Sequence, residues 1–135
     1  MLFDAPDAGR DGGSFAPWST TATTSGVDTR RWRVRCGPCR HVLAAPAWRV
    51  RVAGEERHVH TNPLGFSFVL RLYDAAPGCR ARGAPTSTYS WFPPLAWQVL
   101  ACGGCGEHRG WSFAEAGAQM FVALVVDGIV EEIDA

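Results

Sequence analysis

The stretch CGGC at residues 102–105 decides the fold, because CGPC at residues 36–39 repeats its spacing. In each stretch glycine or proline separates two cysteines and permits a tight turn in which both sulfurs face one point. Two such turns supply four thiolates in a tetrahedral set, the ligand type and geometry that suit zinc. Four protein ligands leave no open position for water, so we expect a structural zinc and not a catalytic one. The predicted ligands are Cys36, Cys39, Cys102 and Cys105.

Length and composition indicate one small globular domain. The chain has 135 residues, of which 47% are hydrophobic and 19% charged. Residues 1–29 are rich in glycine, serine, threonine, alanine, proline and aspartate and are predicted to form a flexible tail, with the folded domain over residues 30–135. A domain of about 100 residues buries only about two thirds of its unfolded surface. A metal that joins distant parts of the chain is therefore expected to add much of its stability.

Charge and hydropathy exclude several function classes. The formal net charge is zero, so the chain lacks the basic surface expected of a nucleic-acid or anionic-membrane binder. Its longest apolar run, residues 120–126, is far shorter than the roughly 20 residues that span a bilayer. The N-terminus shows no secretory signal, so we expect the protein in the reducing cytoplasm. In that compartment paired cysteines are metal ligands more often than disulfides. We also expect the protein to be a monomer.

Alternating apolar and polar residues predict a mostly β fold. Strand patterns occur at residues 32–35, 47–52, 66–73, 97–101 and 121–126, and glycine and proline separate them. The strongest is 66–73, where Phe66, Phe68, Leu70 and Leu72 share one face at period two. Residues 114–120 leave room for a turn or two of helix, but no segment has a sustained helical period. The prediction is antiparallel β structure with loops.

Aromatic side chains cluster on both sides of the second cysteine pair. They are Trp91, Phe92, Trp97, Trp111 and Phe113. Such rings either fill a core or line a pocket, and composition alone leaves both interpretations open. Trp91 precedes a proline turn and Trp111 follows a glycine-bounded loop, and these positions favour a pocket rim.

In their order along the chain, these residues resemble the thalidomide-binding (CULT) domain family of cereblon, including its single-domain bacterial relatives. The resemblance covers about two thirds of the chain, from Cys36 to Leu124. Its motifs are Asn62-Pro63 with Gly65, Gly83-x-Pro85, Ser90-Trp91-Phe92-Pro93 with Ala96-Trp97, Cys102-x-x-Cys105, His108-x-Gly110-Trp111-x-Phe113, and Phe121 with Leu124.

The resemblance implies a β-tent, in which two antiparallel sheets pack steeply against each other and are pinned by the zinc bound to the four cysteines. It also implies an aromatic cage with Trp91, Trp97 and Trp111 as its walls and Phe113 at its base. The backbone carbonyl of Tyr89 would accept the N–H of a cyclic imide, and the backbone N–H of Trp91 would bind one ring carbonyl. The remaining ligand-binding positions are Ser90, within the same motif, and Asn62 and Phe68, at the cage mouth.

The implied function is a small-molecule binding module and not an enzyme. Its ligand would be a glutarimide, a succinimide, a uracil- or uridine-like ring, or the cyclic-imide end of a peptide. The chain has no room for the domains through which eukaryotic cereblon joins a ubiquitin ligase, so that adaptor role is not implied.

Competing interpretations rest on other residues. A methionine sulfoxide reductase of the B type shares the β-tent and its zinc, but it needs a nucleophilic cysteine on a late strand. No cysteine follows Cys105, and Cys79 matches no such motif. A zinc ribbon that binds nucleic acid conflicts with the neutral charge. His58 and His60 are a weak candidate for a second metal site, and His108 is expected to be a structural hydrogen-bonding residue.

Overall fold

The computed structural model describes residues 29–134, so the predicted tail over residues 1–29 lies, except for Thr29, outside the described part of the chain. The fold is mostly β, as predicted. Nine strands are described: β1 (Trp32–Cys36), β2 (Val42–Ala44), β3 (Arg57–Thr61), β4 (Ser67–Tyr73), β5 (Cys79–Thr86), β6 (Ala96–Cys102), β7 (His108–Glu115), β8 (Ala118–Val125) and β9 (Ile129–Ile133). Three short 3-10 helices cover Thr29–Arg31, Pro46–Trp48 and Val126–Gly128. Among the described residues, no helix is long and apolar enough to cross a membrane.

The strands form two antiparallel sheets. The smaller has the order β2-β1-β9 and the larger the order β3-β4-β8-β7-β6-β5. Both faces of the larger sheet are buried near its centre, which explains the continuous apolar run in β8. Phe121 and Ala123 pack into one core cluster, whereas Val122 and Leu124 pack into the cluster that also holds Val34 of β1. A strand covered on both faces loses the alternation of a half-exposed strand.

A half-buried group of charges joins the two sheets. Glu131 of β9 accepts hydrogen bonds from Arg49, from Arg71 Nη1 at 3.3 Å and from the Tyr73 hydroxyl at 3.2 Å. Burial, reinforced by the negative charge of Glu131, raises the pKa of Tyr73. The hydroxyl therefore stays protonated and can donate this bond at any physiological pH.

Several predicted elements differ from the structure. Residues 47–52 are not a strand: Pro46–Trp48 forms a 3-10 helix, and Arg49 and Val52 make only isolated bridges. The alternation in this segment still marks burial, since Val50 and Val52 lie in the core. Its strand character is lost because Pro46 opens a 3-10 turn at one end.

Two further differences concern chain reversals. Phe66 precedes β4 and is 63% exposed, so the strand begins one residue later than the pattern indicated. Residues 114–120 contain no helical turn, because Ala116 and Gly117 both have positive φ angles, of 54° and 82°, and join β7 to β8 in a tight hairpin. Positive φ at both central residues is the geometry that suits the twist of antiparallel strands.

Candidate functional site

The four predicted cysteine ligands converge on one point. Their Sγ atoms all lie within 4.8 Å of one another, with 3.7 Å between Cys36 and Cys105 and 3.5 Å between Cys39 and Cys102. Four thiolates bound at about 2.3 Å around one tetrahedral ion would lie about 3.8 Å apart. The donor set is therefore positioned to bind a metal ion. Among the described residues, no other group of three or more potential ligands meets the same test.

The second cysteine pair is the turn that joins β6 to β7, and its glycines have no space for side chains. A Cβ atom on Gly103 would lie 2.6 Å from the carbonyl oxygen of Gly78, and one on Gly104 would lie 2.9 Å from Cβ of His41. The backbone amides of Gly104 and Cys105 approach the Cys102 sulfur at 3.3 and 3.5 Å. These amides stabilise negative charge on the sulfur, as expected for a metal-binding thiolate.

Arg109 supplies a further hydrogen bond to the cysteine cluster. Its guanidinium is largely buried, and Nε donates to the Cys36 sulfur at 3.3 Å while Nη1 donates to the His108 carbonyl at 2.9 Å. Burial alone would raise the pKa of Cys36, but hydrogen bonds from the Cys39 backbone and from Arg109 outweigh it and lower the pKa to about 7. At Cys36 the surrounding donors thus favour the thiolate, which is the form that binds metal.

A second site opens on the face of β6 and β7 that continues from this turn. The cross-strand pairs Trp97↔Phe113 and Val99↔Trp111 place four side chains on one face, and all four line a pocket of about 370 Å³. This volume is near the lower end of the roughly 300–1,000 Å³ typical of small-molecule sites. The full lining consists of Asn62, Pro63, Leu64, Tyr89, Trp91, Trp97, Val99, Trp111 and Phe113. None of these side chains is charged.

The three tryptophans are held in different ways. Trp91 Nε1 donates to the Thr61 carbonyl at 3.1 Å, and Trp97 Nε1 donates to the Thr88 carbonyl at 2.8 Å. The rings of Trp91 and Trp111 meet edge to face, with centroids 4.8 Å apart and an interplanar angle of 75°. The glycine-bounded loop predicted before Trp111 is instead strand β7, and Trp111 is only 9% exposed. It is buried because the rings of Phe68, Trp91 and His108 pack against it.

Two residues that line the pocket carry backbone groups without hydrogen-bond partners among the described residues. In the loop from Thr86 to Ala96, the Ser90 amide donates a hydrogen bond to the Ser87 carbonyl. The Ser90 hydroxyl accepts one from the Phe92 amide. Within the described residues, the carbonyl of Tyr89 and the N–H of Trp91 make no hydrogen bond. Tyr89 also has a φ of 57°, an uncommon conformation for a residue other than glycine. Such outliers occur preferentially at binding sites, where the surrounding structure maintains them.

The other sequence-predicted residues take supporting positions. Asn62 lines the pocket, and its Oδ1 accepts hydrogen bonds from the backbone amides of Leu64 and Phe66 at 3.0 and 2.9 Å, which fix the β3–β4 turn. Phe68 stands behind the tryptophans, with its ring centroid 5.2 Å from that of Trp111. Ser90 stabilises the loop and does not line the pocket. Phe113 lines the pocket and is fully buried.

Sequence reasoning missed three lining residues and one residue behind the pocket. Pro63 and Leu64 belong to the β3–β4 turn, for which Asn62-Pro63 was the available signal, and Val99 follows from its alternation with Trp97. His60 stacks against Trp91, with centroids 5.3 Å apart and an interplanar angle of 12°. Its alternation with His58 was visible but was interpreted as a weak metal signal.

The remaining candidates also have defined positions. Cys79 of β5 lies opposite Cys102 of β6 in the strand register, without a disulfide between them. It packs beside the cysteine cluster, away from the pocket. His58 Nε2 lies 3.0 Å from the carbonyls of Val52 and Glu55, so it is engaged in a turn. His108 Nε2 lies 3.0 Å from the Gly110 carbonyl, and its ring meets Trp111 edge to face at 4.5 Å.

Comparison with known proteins finds similarity to cereblon. No family model matches the chain. It is 38% identical to Protein cereblon of Gallus gallus over 55 residues, which are 40% of this chain and 12% of that protein. It is 33% identical to Protein cereblon of Danio rerio over 55 residues, 41% of this chain and 13% of that protein. With Protein cereblon of Drosophila erecta the identity is 42% over 58 residues, 40% of this chain and 10% of that protein. The match thus spans about a tenth of the length of these relatives, and it supports a cereblon-related domain in this chain.

Proposed function

We propose that this chain is a small-molecule binding module that holds a cyclic imide in the pocket between Trp91, Trp97 and Trp111. The observation that carries the proposal is a pair of unpartnered backbone groups in two residues that line the pocket. A backbone acceptor at Tyr89 and a backbone donor at Trp91 stand two residues apart on one loop, and both lack partners within the described residues. The N–H and an adjacent carbonyl of an imide form the complementary pair.

The aromatic walls make the pocket selective for neutral ligands that can hydrogen-bond to these two backbone groups. Flat rings exclude water, so hydrogen bonds formed between them are made in a medium of low dielectric constant and are stronger than in water. The lining residues carry no charge, which favours a neutral ligand over an ion. Glutarimide, succinimide, a uracil- or uridine-like ring and the cyclic-imide end of a peptide all present a flat, neutral donor-acceptor edge.

Ligand size limits the affinity. A ring of about eight heavy atoms cannot exceed roughly −12 kcal/mol by the ligand-efficiency ceiling. Binding of about −8 kcal/mol, or micromolar affinity, is the expected range. The module would therefore respond to ligand concentrations in the micromolar range.

Zinc is the metal we propose for the four cysteines, with a structural role. An all-thiolate tetrahedral set suits zinc and fills its coordination shell. Bound there, the ion would cross-link the β1–β2 turn to the β6–β7 turn. The chain's own contribution is the set of backbone amides and the Arg109 guanidinium that stabilise the thiolates.

The pocket supports binding better than sulfoxide reduction. A reductase of the B type needs a thiol where the substrate sits, and none of the pocket-lining residues is a cysteine. Cys79 lies instead beside the metal ligands. We propose that residues 30–135 act as a monomeric, non-enzymatic domain of the kind found in bacterial relatives. None of its five cysteines forms a disulfide, and we propose the reducing cytoplasm as its location.

Titration of intrinsic tryptophan fluorescence tests the proposed ligand class. Glutarimide or uridine should quench the emission saturably, because the ligand lies against indole rings. The apparent Kd should change by less than about twofold between low and high salt, since no charges pair. Trimethylammonium ligands should not compete, because the pocket lining offers no carboxylate to hold a cation. Equal competition by a trimethylammonium ligand would show that the pocket is a cation cage.

A further inference from the structure

His60 lies behind one wall of the pocket and forms part of a stack of rings. Its imidazole is nearly parallel to Trp91 at 5.3 Å and nearly parallel to His58 at 5.7 Å on the other side. The edge of its ring meets Phe92 at 4.9 Å with an interplanar angle of 68°. Trp91 is therefore supported from behind by His60, while its front faces the pocket.

One ring nitrogen of His60 is buried without a hydrogen-bond partner, which is unusual for a histidine. Nε2 is buried and has no hydrogen-bond partner, whereas Nδ1 is not fully buried. The favourable neutral tautomer therefore carries its proton on Nδ1, where water can accept it, and leaves Nε2 bare. Protonation would place an N–H on Nε2, in a buried position with no acceptor. The neighbouring His58 differs, because two carbonyls surround its Nε2.

No acidic side chain forms an ion pair with His60 among the described residues, so only the surrounding ring faces could offset the cost of burying a charge there. Phe68 faces it from β4, and Trp91 and Phe92 face it from the loop between β5 and β6. The titratable neighbour is His58 on its own strand, which is itself a potential cation. Burial, followed by the charge of His58, lowers the pKa of His60.

We propose that neutral His60 is a positioning residue that holds Trp91 in its ligand-binding orientation, so that protonation of His60 weakens ligand binding. This inference rests on the proposed imide function. A protonated ring must find an acceptor for its Nε2–H, and it can do so only by moving off the back of Trp91. A ligand in front of Trp91 removes further water from the stack, so the complex favours the neutral ring more strongly than the free protein does.

The sign of the pH dependence follows from this linkage. The complex has a lower pKa at His60 than the free protein has. Affinity is therefore at its plateau above the pKa of the free form and falls as the pH drops through the interval between the two values. A difference of about one pKa unit between the two states corresponds to a tenfold loss.

Glutarimide titrations of the wild type and of two variants between about pH 5.5 and 8 test the proposal. For the wild type we expect the Kd to rise as the pH falls, approaching about tenfold only where the pH lies below both pKa values. His60→Phe keeps an aromatic ring on Trp91 but cannot titrate, so it should bind within about twofold of the wild type at pH 8 and lose the pH dependence. His60→Ala removes the support and should bind several-fold more weakly at every pH. Metal content is measured at each pH, so that loss of thiolate ligands is not mistaken for titration of His60.

An NMR titration provides a readout that does not require ligand binding. The Cε1–H signal of His60, assigned by its loss in His60→Phe, should titrate below the usual value of about 6.5 in the free protein and lower still with glutarimide bound. If the pH dependence persists in His60→Phe, another group such as His108 beside Trp111 causes it. That result overturns the inference and leaves the proposed imide function unaffected. Failure of the wild type to bind any imide overturns both.

Discussion

Replacing Cys102 with serine is expected to remove the bound metal and most of the folded structure. A serine hydroxyl is a poor ligand for a soft, thiolate-bound ion, so the remaining three sulfurs would bind it far more weakly. Structural zinc binding supplies on the order of 10 kcal/mol, which is comparable to the whole stability of a small domain. Elemental analysis should find one zinc per wild-type chain and little in the variant. Circular dichroism should show that the variant has lost its β signal.

The fifth cysteine provides the matched control. Cys79→Ser alters a half-buried thiol beside the cluster but none of the four predicted ligands. We expect this variant to retain one zinc and a cooperative thermal transition. A folded Cys102→Ser protein, or wild-type protein that is folded without metal, would contradict the structural role of the site.

Trp97→Ala is expected to abolish detectable imide binding while leaving the β circular-dichroism signal intact. Trp97 is only partly buried, and its indole both forms a wall of the pocket and donates to the Thr88 carbonyl. The variant therefore removes a wall and also frees the loop that carries Tyr89 and Trp91. Because Trp111 and Phe113 are buried in the core, alanine there would confuse binding with folding. Isothermal titration calorimetry with glutarimide measures the loss.

Two control variants distinguish the effect of losing the aromatic wall from the loss of the Trp97 hydrogen bond and from the loss of a tryptophan elsewhere in the chain. Trp48→Ala removes an exposed tryptophan that is not part of this pocket, and it should bind normally. Trp97→Phe keeps a flat wall but loses the hydrogen bond to Thr88, so we expect intermediate affinity. Unchanged binding by Trp97→Ala would mean that these rings are core and that the ligand, if any, binds elsewhere.

The metal site and the pocket are linked through one hairpin. The cysteine pair at residues 102–105 forms the turn between β6 and β7, and the same two strands carry Trp97, Trp111 and Phe113. A fixed turn sets the register of its strands, and a slip of one residue would move every side chain to the opposite face. Chelation of the metal should therefore abolish imide binding together with the fold.

Local patterns explain which parts of this architecture were predictable. The repeated cysteine spacing indicated the four ligands, and period-two alternation located β4 and β6, because both signals depend on neighbours in sequence. The strand β3 was missed because His58 and His60 occupy its inward positions, and β5 because most of its side chains are exposed. The strand β7 was missed as well, because Gly110 within it indicated a loop. The missing side chain of Gly110 is required, since a Cβ atom there would lie 2.0 Å from the Ala123 carbonyl oxygen.

Long-range contacts were beyond the reach of sequence patterns. Nothing near Glu131 indicates that it meets Arg71 of the other sheet and Arg49 of the segment before β3. The stack of His60 on Trp91 likewise joins residues about 30 positions apart. The order of the tryptophans suggested a cage through family resemblance, but the unpaired carbonyl of Tyr89 and N–H of Trp91 became visible only once the loop's hydrogen bonds were accounted for.

The most direct test of the central claim is a calorimetric comparison of glutarimide with N-methylglutarimide. Methylation leaves the ring flat, neutral and nearly unchanged in apolar area, but it removes the donor that would meet the Tyr89 carbonyl. An unpaired buried acceptor costs roughly 1–3 kcal/mol, a loss of about five- to 160-fold. The steric clash of the methyl group adds to this loss, so we predict no detectable binding at micromolar concentrations. Equal affinity of the two compounds would contradict the proposed hydrogen-bonding edge, even if the three tryptophans form the binding pocket.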